Sequence, residues 1–425
     1  MGLSLFSKVI LICFAQSVSP SLLLLLTPKR SYIRPFYLVI SLWLAYEFFL
    51  LSKGISVNPV RYSKAGSQIF VAVIQATNVL IINPLDRDDL VRGGIITNSA
   101  SIFTQTWHTS TSVFFALRGI NTAWRVKNIP GHPKFLTGQA KSRIPRASFL
   151  VRQAFILGWQ YLVLDVLYFL SLQDDSPQVP LADFKYFNVG AAAWGQRVAV
   201  SLITWFWVAR VLIDSIYRAG ALVAVGLCGD APEDWPPLFG SMWDAYTLRS
   251  FWGKFWHQFL RWPFTSMSNC ITRNLLGLPQ PSIMERYTNI LIVFLLSGWI
   301  HVMTDSMQGV PPSDSGAMFF FPLFTVGFMI EDGVQHVWKI FNASDKSGKS
   351  SSTGPMLWQR VLGLVWVMAW ISVTSPRYLV PTQLQPKEDR WMVPISVVQW
   401  IGVPAGLAGI VAGGLVVMHG FGTEI

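Results

Sequence analysis

The sequence is poor in charged residues, in cysteine and in histidine. Only 13% of the 425 residues are Asp, Glu, Lys or Arg, whereas soluble globular domains have roughly 25%. The three cysteines, Cys13, Cys228 and Cys270, form no CxxC or Cys/His ligand pattern, so neither a disulfide framework nor a zinc site is expected. The six histidines are isolated and form no HxxxH or HxxHH box. This excludes a di-iron desaturase or hydroxylase, and no metal or other bound cofactor is expected.

Internal repeats are lacking as well, so the sequence gives no support to an inverted-repeat transporter. A transporter stays open as the non-enzyme alternative. A prenyltransferase or terpene cyclase would need aspartates to bind magnesium and diphosphate or to protonate an olefin. The stretch NPLDRDD, residues 83–89, offers Asp86, Asp88 and Asp89, but the spacing does not match the usual prenyltransferase motif. An aspartate-dependent enzyme of this kind is the second alternative.

Long apolar runs are abundant, and 52% of the residues are hydrophobic. A helix of ~20 residues crosses the hydrocarbon core of a bilayer. The runs lie near residues 9–27, 36–52, 68–83, 149–172, 198–217, 287–305, 317–335, 356–375 and 393–418, whereas 98–117 is too polar to assign. They predict an all-α, polytopic integral membrane protein with eight to ten transmembrane helices. We expect a single membrane-embedded domain over residues 1–425.

Positive charge is concentrated in one segment. The net charge is +11, and eight Lys and Arg residues lie from Arg118 to Arg152 with no acidic residue among them. Because short cytosolic loops are enriched in Lys and Arg, this loop is predicted to be cytosolic, and alternation of the spans places residues 229–286 there too. Membrane topology therefore explains the basic charge, so membrane lipid is an expected partner and nucleic acid is not.

Residues 249–264, RSFWGKFWHQFLRWPF, have a helical period with two different faces. Aromatic residues, Trp256 among them, fall on one broad face, and Lys254, His257 and Arg261 fall on a narrow opposite face. The pattern predicts an amphipathic helix on the cytosolic side of the membrane. Its basic residues could contact lipid phosphates. Alternatively, they bind the phosphates of a nucleotide-bearing cosubstrate.

The run FLLSGWIHVMTD, residues 294–305, places His301 among apolar residues. Ser297, His301 and Asp305 share one helical face, but a serine in mid-helix lacks the strained turn and oxyanion hole of a hydrolase nucleophile. His301 is therefore either a buried histidine satisfied by a neighbouring helix or a neutral imidazole that acts as a general base. Gly298 leaves room beside the ring for a substrate or for another backbone.

Four segments in order resemble the wax synthase branch of the membrane-bound O-acyltransferase (MBOAT) superfamily. FWGKFWHQ (251–258) and FLLSGWIH (294–301) carry most of the resemblance. ALRGINTAWRVKNIP (116–130) is similar to the arginine-glycine motif of fungal members, and IEDGVQ (330–335) is similar to their later acidic motif. Three positions differ from the usual pattern. Lys254 and Phe255 stand where paired arginines are common, and Asn121 stands where the fungal motif has glycine.

The resemblance implies a multi-pass enzyme of the endoplasmic reticulum that transfers an acyl group from acyl-CoA to an alcohol. Members of the fungal branch often acetylate the hydroxyls of terpenoids or meroterpenoids in secondary-metabolite pathways. His301 matches the central catalytic histidine, and His257 matches the Asn-or-His position of the aromatic-rich motif. The candidates for substrate and CoA binding are Lys254, Arg261, Arg249, Trp256, Trp299, Ser297 and Arg118. A long-chain wax or sterol ester synthase stays open, and the sequence does not indicate the oligomeric state.

Overall fold

A computed structural model describes residues 5–53, 59–137, 143–172, 189–343, 355–383, 393 and 395–421. Within these ranges the chain is helical and forms no strand. In chain order the helices are α1 (Leu5–Leu26), α2 (Ile33–Lys53), α3 (Pro59–Thr77), α4 (Arg87–Arg92), α5 (Ile102–Thr109), α6 (Lys134–Thr137), α7 (Arg146–Leu172), α8 (Ala191–Leu202), α9 (Ala209–Leu227), α10 (Leu248–Ser250), α11 (Arg261–Asn269), α12 (Ile283–Met307), α13 (Ala317–Ala343), α14 (Leu357–Thr374), α15 (Pro376–Gln383), α16 (Val398–Ile401) and α17 (Val403–Gly420). Several continue into π-helical turns, at Asn78–Ile82, Ser110–Phe115, Ile203–Val208, Phe251–Phe255 and Cys270–Leu275.

Eight helices of the described ranges are long and apolar enough to cross a membrane. They correspond to the predicted runs, and the run predicted near 68–83 matches a shorter apolar helix, Gly66–Ile82. The run near 198–217 is part of one helical stretch, Ala191–Leu227, because a π-helical turn joins α8 to α9. The last run is broken at Gly402, which has φ +80°. The predicted all-α, polytopic fold class is confirmed.

The spans expose large apolar side chains of the kind that lipid covers. Phe14, Trp43, Leu362 and Val411 are each more than half exposed. A water-soluble chain rarely leaves so many large apolar side chains uncovered. In a bilayer they face acyl chains, while the helices satisfy their own backbone hydrogen bonds.

The chain divides into two compact units, each built from separate stretches of sequence. One unit contains Met1–Lys127, Phe259–Pro322 and Pro381–Trp391, and the other contains Asn128–Gln258, Leu323–Val380 and Met392–Ile425. We call them the first unit and the second unit. The single-domain prediction stays a prediction.

The first unit packs α1, α2, α3 and α12 against one another. Arg34, fully buried, donates to the carbonyl oxygens of Thr27 and Leu85 at 2.7 and 2.8 Å, which ties the turn between α1 and α2 to the chain after α3. A Cβ atom on Gly66 of α3 would overlap the sulfur of Met307 at the end of α12. This close approach fixes the position of α12.

The second unit packs α7 against α9 and α17. The side chain of Asp165 in α7 accepts hydrogen bonds from the amides of Val397 and Val398, at 2.7 and 2.9 Å, and so holds the start of α16. The indole of Trp159 donates to the carbonyl oxygen of Ile410 in α17 at 2.9 Å. These bonds join elements far apart in sequence and tie α16 and α17 to α7.

The aspartates of NPLDRDD have a local structural role. Asp86 is the N-cap of α4, and it forms a capping box with Asp89. Asp89 also forms an ion pair with Lys29 at 2.7 Å and another with Arg92. Burial acts to raise the pKa of Asp89, but the hydrogen bonds from Lys29 and Arg92 outweigh it and lower the pKa overall. Helix capping therefore accounts for these two carboxylates.

Candidate active site

Helix α12 carries His301 within an apolar span. The helix begins after Ser282, whose side chain accepts a hydrogen bond from the Glu285 amide and so satisfies one N–H of the first turn. It then continues without a break to Met307. The imidazole of His301 lies face to face on the ring of Phe321 from α13, with centroids 4.4 Å apart and an interplanar angle of 11°. This stacking fixes the ring plane, and hence the directions in which its nitrogens can exchange a proton.

Gly298 lies one turn before His301 and allows α13 to approach α12. A Cβ atom at this position would lie 3.3 Å from the carbonyl oxygen of Ala317 and 3.0 Å from the sulfur of Met318. The sequence left two possible neighbours for this glycine, a substrate or another backbone. The structure shows the backbone of α13 there. Trp299, a candidate for lining the site, is 40% exposed and packs edge-on against Phe70 at a centroid distance of 5.3 Å.

Asp305 ties the end of α12 to the start of α13. Its carboxylate accepts a hydrogen bond from the Ser315 hydroxyl at 2.6 Å, and the Ser315 oxygen accepts one from the Ala317 amide at 3.3 Å. The bond therefore helps to place the helix that supplies Phe321. Ser297 is half-buried in the middle of α12, so it lacks the exposed turn on which a nucleophilic serine depends.

Residues 249–264 do not form one continuous amphipathic helix, and that prediction is wrong. After α10 the chain forms the π-helical turn Phe251–Phe255 and becomes extended at Trp256, with φ −69° and ψ 151°. Helix α11 begins only at Arg261. Side-chain periodicity could not reveal the break, because bonds to residues elsewhere in the sequence stabilise it.

The two faces that the pattern distinguished nevertheless differ in exposure. Phe251 and Phe255 are fully buried and Trp256 is 6% exposed, whereas Lys254 is exposed. These three aromatic side chains therefore pack inside the second unit. Lys254 remains accessible to a ligand or a lipid headgroup.

Two contacts fix the end of this segment. The Gln258 side chain donates to the carbonyl oxygens of Trp252 and Trp256, at 2.9 and 2.6 Å, where the helical turn ends. The Gly240 amide donates to the carbonyl oxygen of Phe255 at 2.9 Å. A Cβ atom on Gly240 would overlap the backbone of the same turn, so only glycine fits there. Motif inspection missed these positioning roles of Gln258 and Gly240.

The start of the segment is held by the acidic motif of α13. Glu331 accepts hydrogen bonds from the amides of Leu248 and Arg249 and, at 3.0 Å, from the indole of Trp366. The Arg249 side chain forms an ion pair with Asp332 at 2.9 Å. The resemblance drew attention to IEDGVQ, but only the fold shows which backbone these carboxylates contact.

His257 lies among aromatic rings of the second unit. Its ring is edge-on to Phe239, with centroids 5.8 Å apart, and tilted against Trp256 at 5.5 Å. It is half-buried. Helix α9 contributes a further cation to the same region, because the guanidinium of Arg210 lies 5.6 Å from the centroid of Phe255. Sequence analysis missed Arg210, although a charged residue in an apolar run is rare enough to indicate a specific role.

The basic candidates differ in their surroundings. Arg249 is already engaged by Asp332, and Lys254 is exposed. Arg261 belongs to the first unit, where its side chain donates to the carbonyl oxygen of Lys127 at 3.4 Å and burial lowers the pKa of its guanidinium. Phosphate binding by any of them stays a prediction.

Arg118 is fully buried in the first unit, and its guanidinium lies 5.7 Å from the centroid of Phe259. The loop around it has left-handed backbone at Gly119 and Asn121, with φ +58° and +60°. Asn is the residue after Gly that best tolerates this conformation. The departure at Asn121 therefore preserves the backbone shape that a glycine would give.

The structure places the candidates in two groups. In the second unit, the continuous segment from Leu248 to Gln258 brings together Arg249, Lys254, Trp256 and His257. In the first unit, α12 carries Ser297, Trp299 and His301, while Arg118 and Arg261 adjoin the loop that ends at Lys127.

Comparison with known proteins gives the class. A model of the membrane bound O-acyl transferase family matches residues 235–323, a range that contains both His257 and His301. Acetyltransferase spyB of Aspergillus fumigatus is 38% identical over 417 residues, which is 97% of this chain and 70% of the relative. Acetyltransferase pyr8 of the same fungus is 37% identical, over 97% of this chain and 95% of the relative. Acetyltransferase TRI7 of Fusarium sporotrichioides is 33% identical, over 89% and 87%. No solved structure matches.

The chain is thus a multi-pass integral membrane enzyme of the acyltransferase class. It belongs to the membrane-bound O-acyltransferase family. An acyl donor and an acyl acceptor are its substrates. The transporter and the aspartate-dependent prenyltransferase or cyclase are thereby set aside.

Proposed function

We propose that this acyltransferase moves an acetyl group from acetyl-CoA to a hydroxyl of a lipophilic terpenoid or meroterpenoid, in the endoplasmic reticulum membrane, as a step of secondary-metabolite biosynthesis. The observation that carries the proposal is the imidazole of His301, stacked on Phe321 inside an apolar helix and within the family-matched residues. The curated relatives described above are named acetyltransferases, which favours acetyl as the transferred group.

The proposed reaction is a direct transfer. A nitrogen of His301 takes the proton of the acceptor hydroxyl as its oxygen attacks the thioester carbonyl carbon. The carbon–sulfur bond breaks, the CoA thiolate leaves, and the imidazolium returns its proton to the thiolate. The products are an ester and free CoA, so the step needs no further reactant.

His257 has the second role in the proposal. It would hydrogen-bond to the acyl carbonyl as negative charge develops on the oxygen. The aromatic rings of Phe239 and Trp256 restrict the imidazole, which suits a group that must be oriented before the reaction starts. Exposed Lys254, in the same segment, is the first candidate for a CoA phosphate.

The experiment incubates membranes containing the protein with radiolabelled acetyl-CoA or palmitoyl-CoA and separate acceptors: a terpenoid alcohol, a sterol and a long-chain alcohol. Membranes containing His301→Ala at the same expression level serve as the matched control. We expect labelled ester from acetyl-CoA and the terpenoid alcohol.

Two results would change the conclusion. A preference for palmitoyl-CoA with the sterol or long-chain alcohol would identify a wax or sterol ester synthase instead. Equal labelling in wild-type and His301→Ala membranes would contradict a base role for this histidine.

A further inference from the structure

Glu331 is a buried carboxylate that the proposed chemistry does not use. It is 6% exposed and lies within α13, an apolar span. A carboxylate in such surroundings requires hydrogen-bond donors or a counter-ion. Within the described ranges its hydrogen-bond donors are the amides of Leu248 and Arg249 and the indole of Trp366. All three belong to the second unit, and the two amides belong to the segment that carries Lys254 and His257.

The contacts of Glu331 match the needs of a helix start. Leu248 and Arg249 are the first two residues of α10, and amides in the first turn of a helix have no acceptor within that helix. One carboxylate oxygen accepts from the Leu248 amide, and the other accepts from the Arg249 amide at 3.3 Å. The indole of Trp366 in α14 donates to the first oxygen at 3.0 Å, which orients the carboxylate.

Asp332, the residue after Glu331 in α13, holds the same end of the segment through the side chain of Arg249. Both oxygens of Asp332 accept from the guanidinium of Arg249, at 2.9 and 3.2 Å. The guanidinium also lies over the ring of Phe328, 4.9 Å from its centroid. Arg249 is therefore fixed through its backbone by Glu331 and through its side chain by Asp332.

Glycines of α13 and α14 let the segment come close enough for these bonds. A Cβ atom on Gly363 would overlap the carbonyl oxygen of Tyr246. On Gly327 it would press on the side chain of Leu248 and lie 3.0 Å from the ring of Trp370. The two helices thus form a fitted surface for residues 246–249.

We propose that Glu331 is a positioning residue, which holds the Leu248 and Arg249 amides and thereby places Lys254 and His257 to receive the acyl donor. This inference rests on the proposed function, because the acyl-CoA is what these two side chains would meet. Gln258 and Gly240 fix the far end of the same segment, so Glu331 determines where the segment begins.

The test compares Glu331→Gln with a matched control, Glu285→Gln. The glutamine keeps the size of the side chain but replaces one acceptor oxygen with an NH2 group, which cannot accept from an amide. Glu285 is likewise buried, at 7% exposed, but its carboxylate accepts hydrogen bonds from Arg273 and Asn289 of the first unit. A milder variant, Trp366→Phe, removes one donor and leaves both amide bonds.

The measurements are kcat, the KM for acetyl-CoA and the KM for the alcohol, each per folded enzyme, and hydrogen exchange of peptides covering 246–258. We expect Glu331→Gln to raise the KM for acetyl-CoA by roughly 10–100-fold, by analogy with the loss when a group that orients a metal ligand is removed. Exchange over 246–258 should quicken and the KM for the alcohol should stay constant. Trp366→Phe should change the same quantities in the same direction by less, and Glu285→Gln should change none of them.

Unchanged exchange in Glu331→Gln would overturn the proposal, and so would an unchanged KM for acetyl-CoA. Equal effects in Glu285→Gln would also overturn it, because they would indicate general destabilisation. If the wild-type enzyme transfers no acyl group from any CoA thioester, the proposed function fails. Binding of acetyl-CoA and exchange over 246–258 then decide the role of Glu331 on their own.

Discussion

The segments around His301 and His257 are held in different ways. His301 lies in an uninterrupted 25-residue helix whose backbone hydrogen bonds are internal. His257 follows a short helical turn, a π-helical turn and an extended residue, and that backbone depends on Glu331, Gln258 and Gly240. A regular helix can present a side chain by itself, whereas an irregular segment needs side chains from elsewhere to hold it.

This difference has a consequence for mutation. A substitution of His301 should impair the chemical step and leave the fold intact, because the backbone of α12 is held by hydrogen bonds within the helix. A substitution in the His257 segment should also alter the backbone of neighbouring residues, because several residues of the second unit together hold that backbone in place.

The largest effect is expected for His301→Ala. Removing a general base typically costs 10²–10⁴-fold in rate, and we expect a loss in that range in the initial rate of ester formation. Thr304→Ala is the control on the same helix, since the Thr304 hydroxyl donates to the carbonyl oxygen of Ile300 within that helix. Residual activity above about one tenth of wild type would contradict a base role.

The next effect tests the proposed hydrogen-bonding role of His257. If its ring donates a hydrogen bond to the developing oxyanion, His257→Ala should cost about 10²–10³-fold in kcat. His257→Asn should cost less, because an amide can still donate. Pre-steady-state rates of both variants give the comparison, and equal losses would argue against a hydrogen-bonding role.

The smallest effect concerns the surface against which the His257 segment rests. Gly363→Ala should lower the free energy of unfolding by about 1–3 kcal/mol, as overpacking does, because the new methyl meets the backbone of Tyr246. Gly333→Ala has open space around it and should instead add about 0.5–1 kcal/mol. Thermal unfolding of the purified variants gives both values, and indistinguishable midpoints would show that the close approach does not matter.

Most of α12 could be predicted from the sequence. The apolar run predicted the span, and a histidine in such a run is unusual enough to attract attention. Phe321, the residue on which His301 stacks, could not be predicted, because α13 reaches α12 through a bend closed by Asp305 and Ser315. Spacing along one helix carries no information about which ring of another helix lies beside it.

For the His257 segment, the sequence predicted the side-chain environments better than the backbone. Its aromatic and basic faces were predicted, and burial of Phe251 and Phe255 with exposure of Lys254 agrees with them. Its backbone was predicted wrongly as one helix. Burial follows side-chain chemistry, which the sequence states directly, whereas the break follows from hydrogen bonds to residues as far away as Glu331.

By itself, the sequence determined that this chain spans a membrane in helices, because backbone groups in hydrocarbon must bond within their own segment and only long apolar runs satisfy that condition. It also indicated His301 and His257 as candidate catalytic side chains. Only the tertiary structure decided how those side chains are oriented and what they contact. The ring beneath His301 and the carboxylate that holds Leu248 come from elements distant in sequence, and only the folded chain brings them into contact.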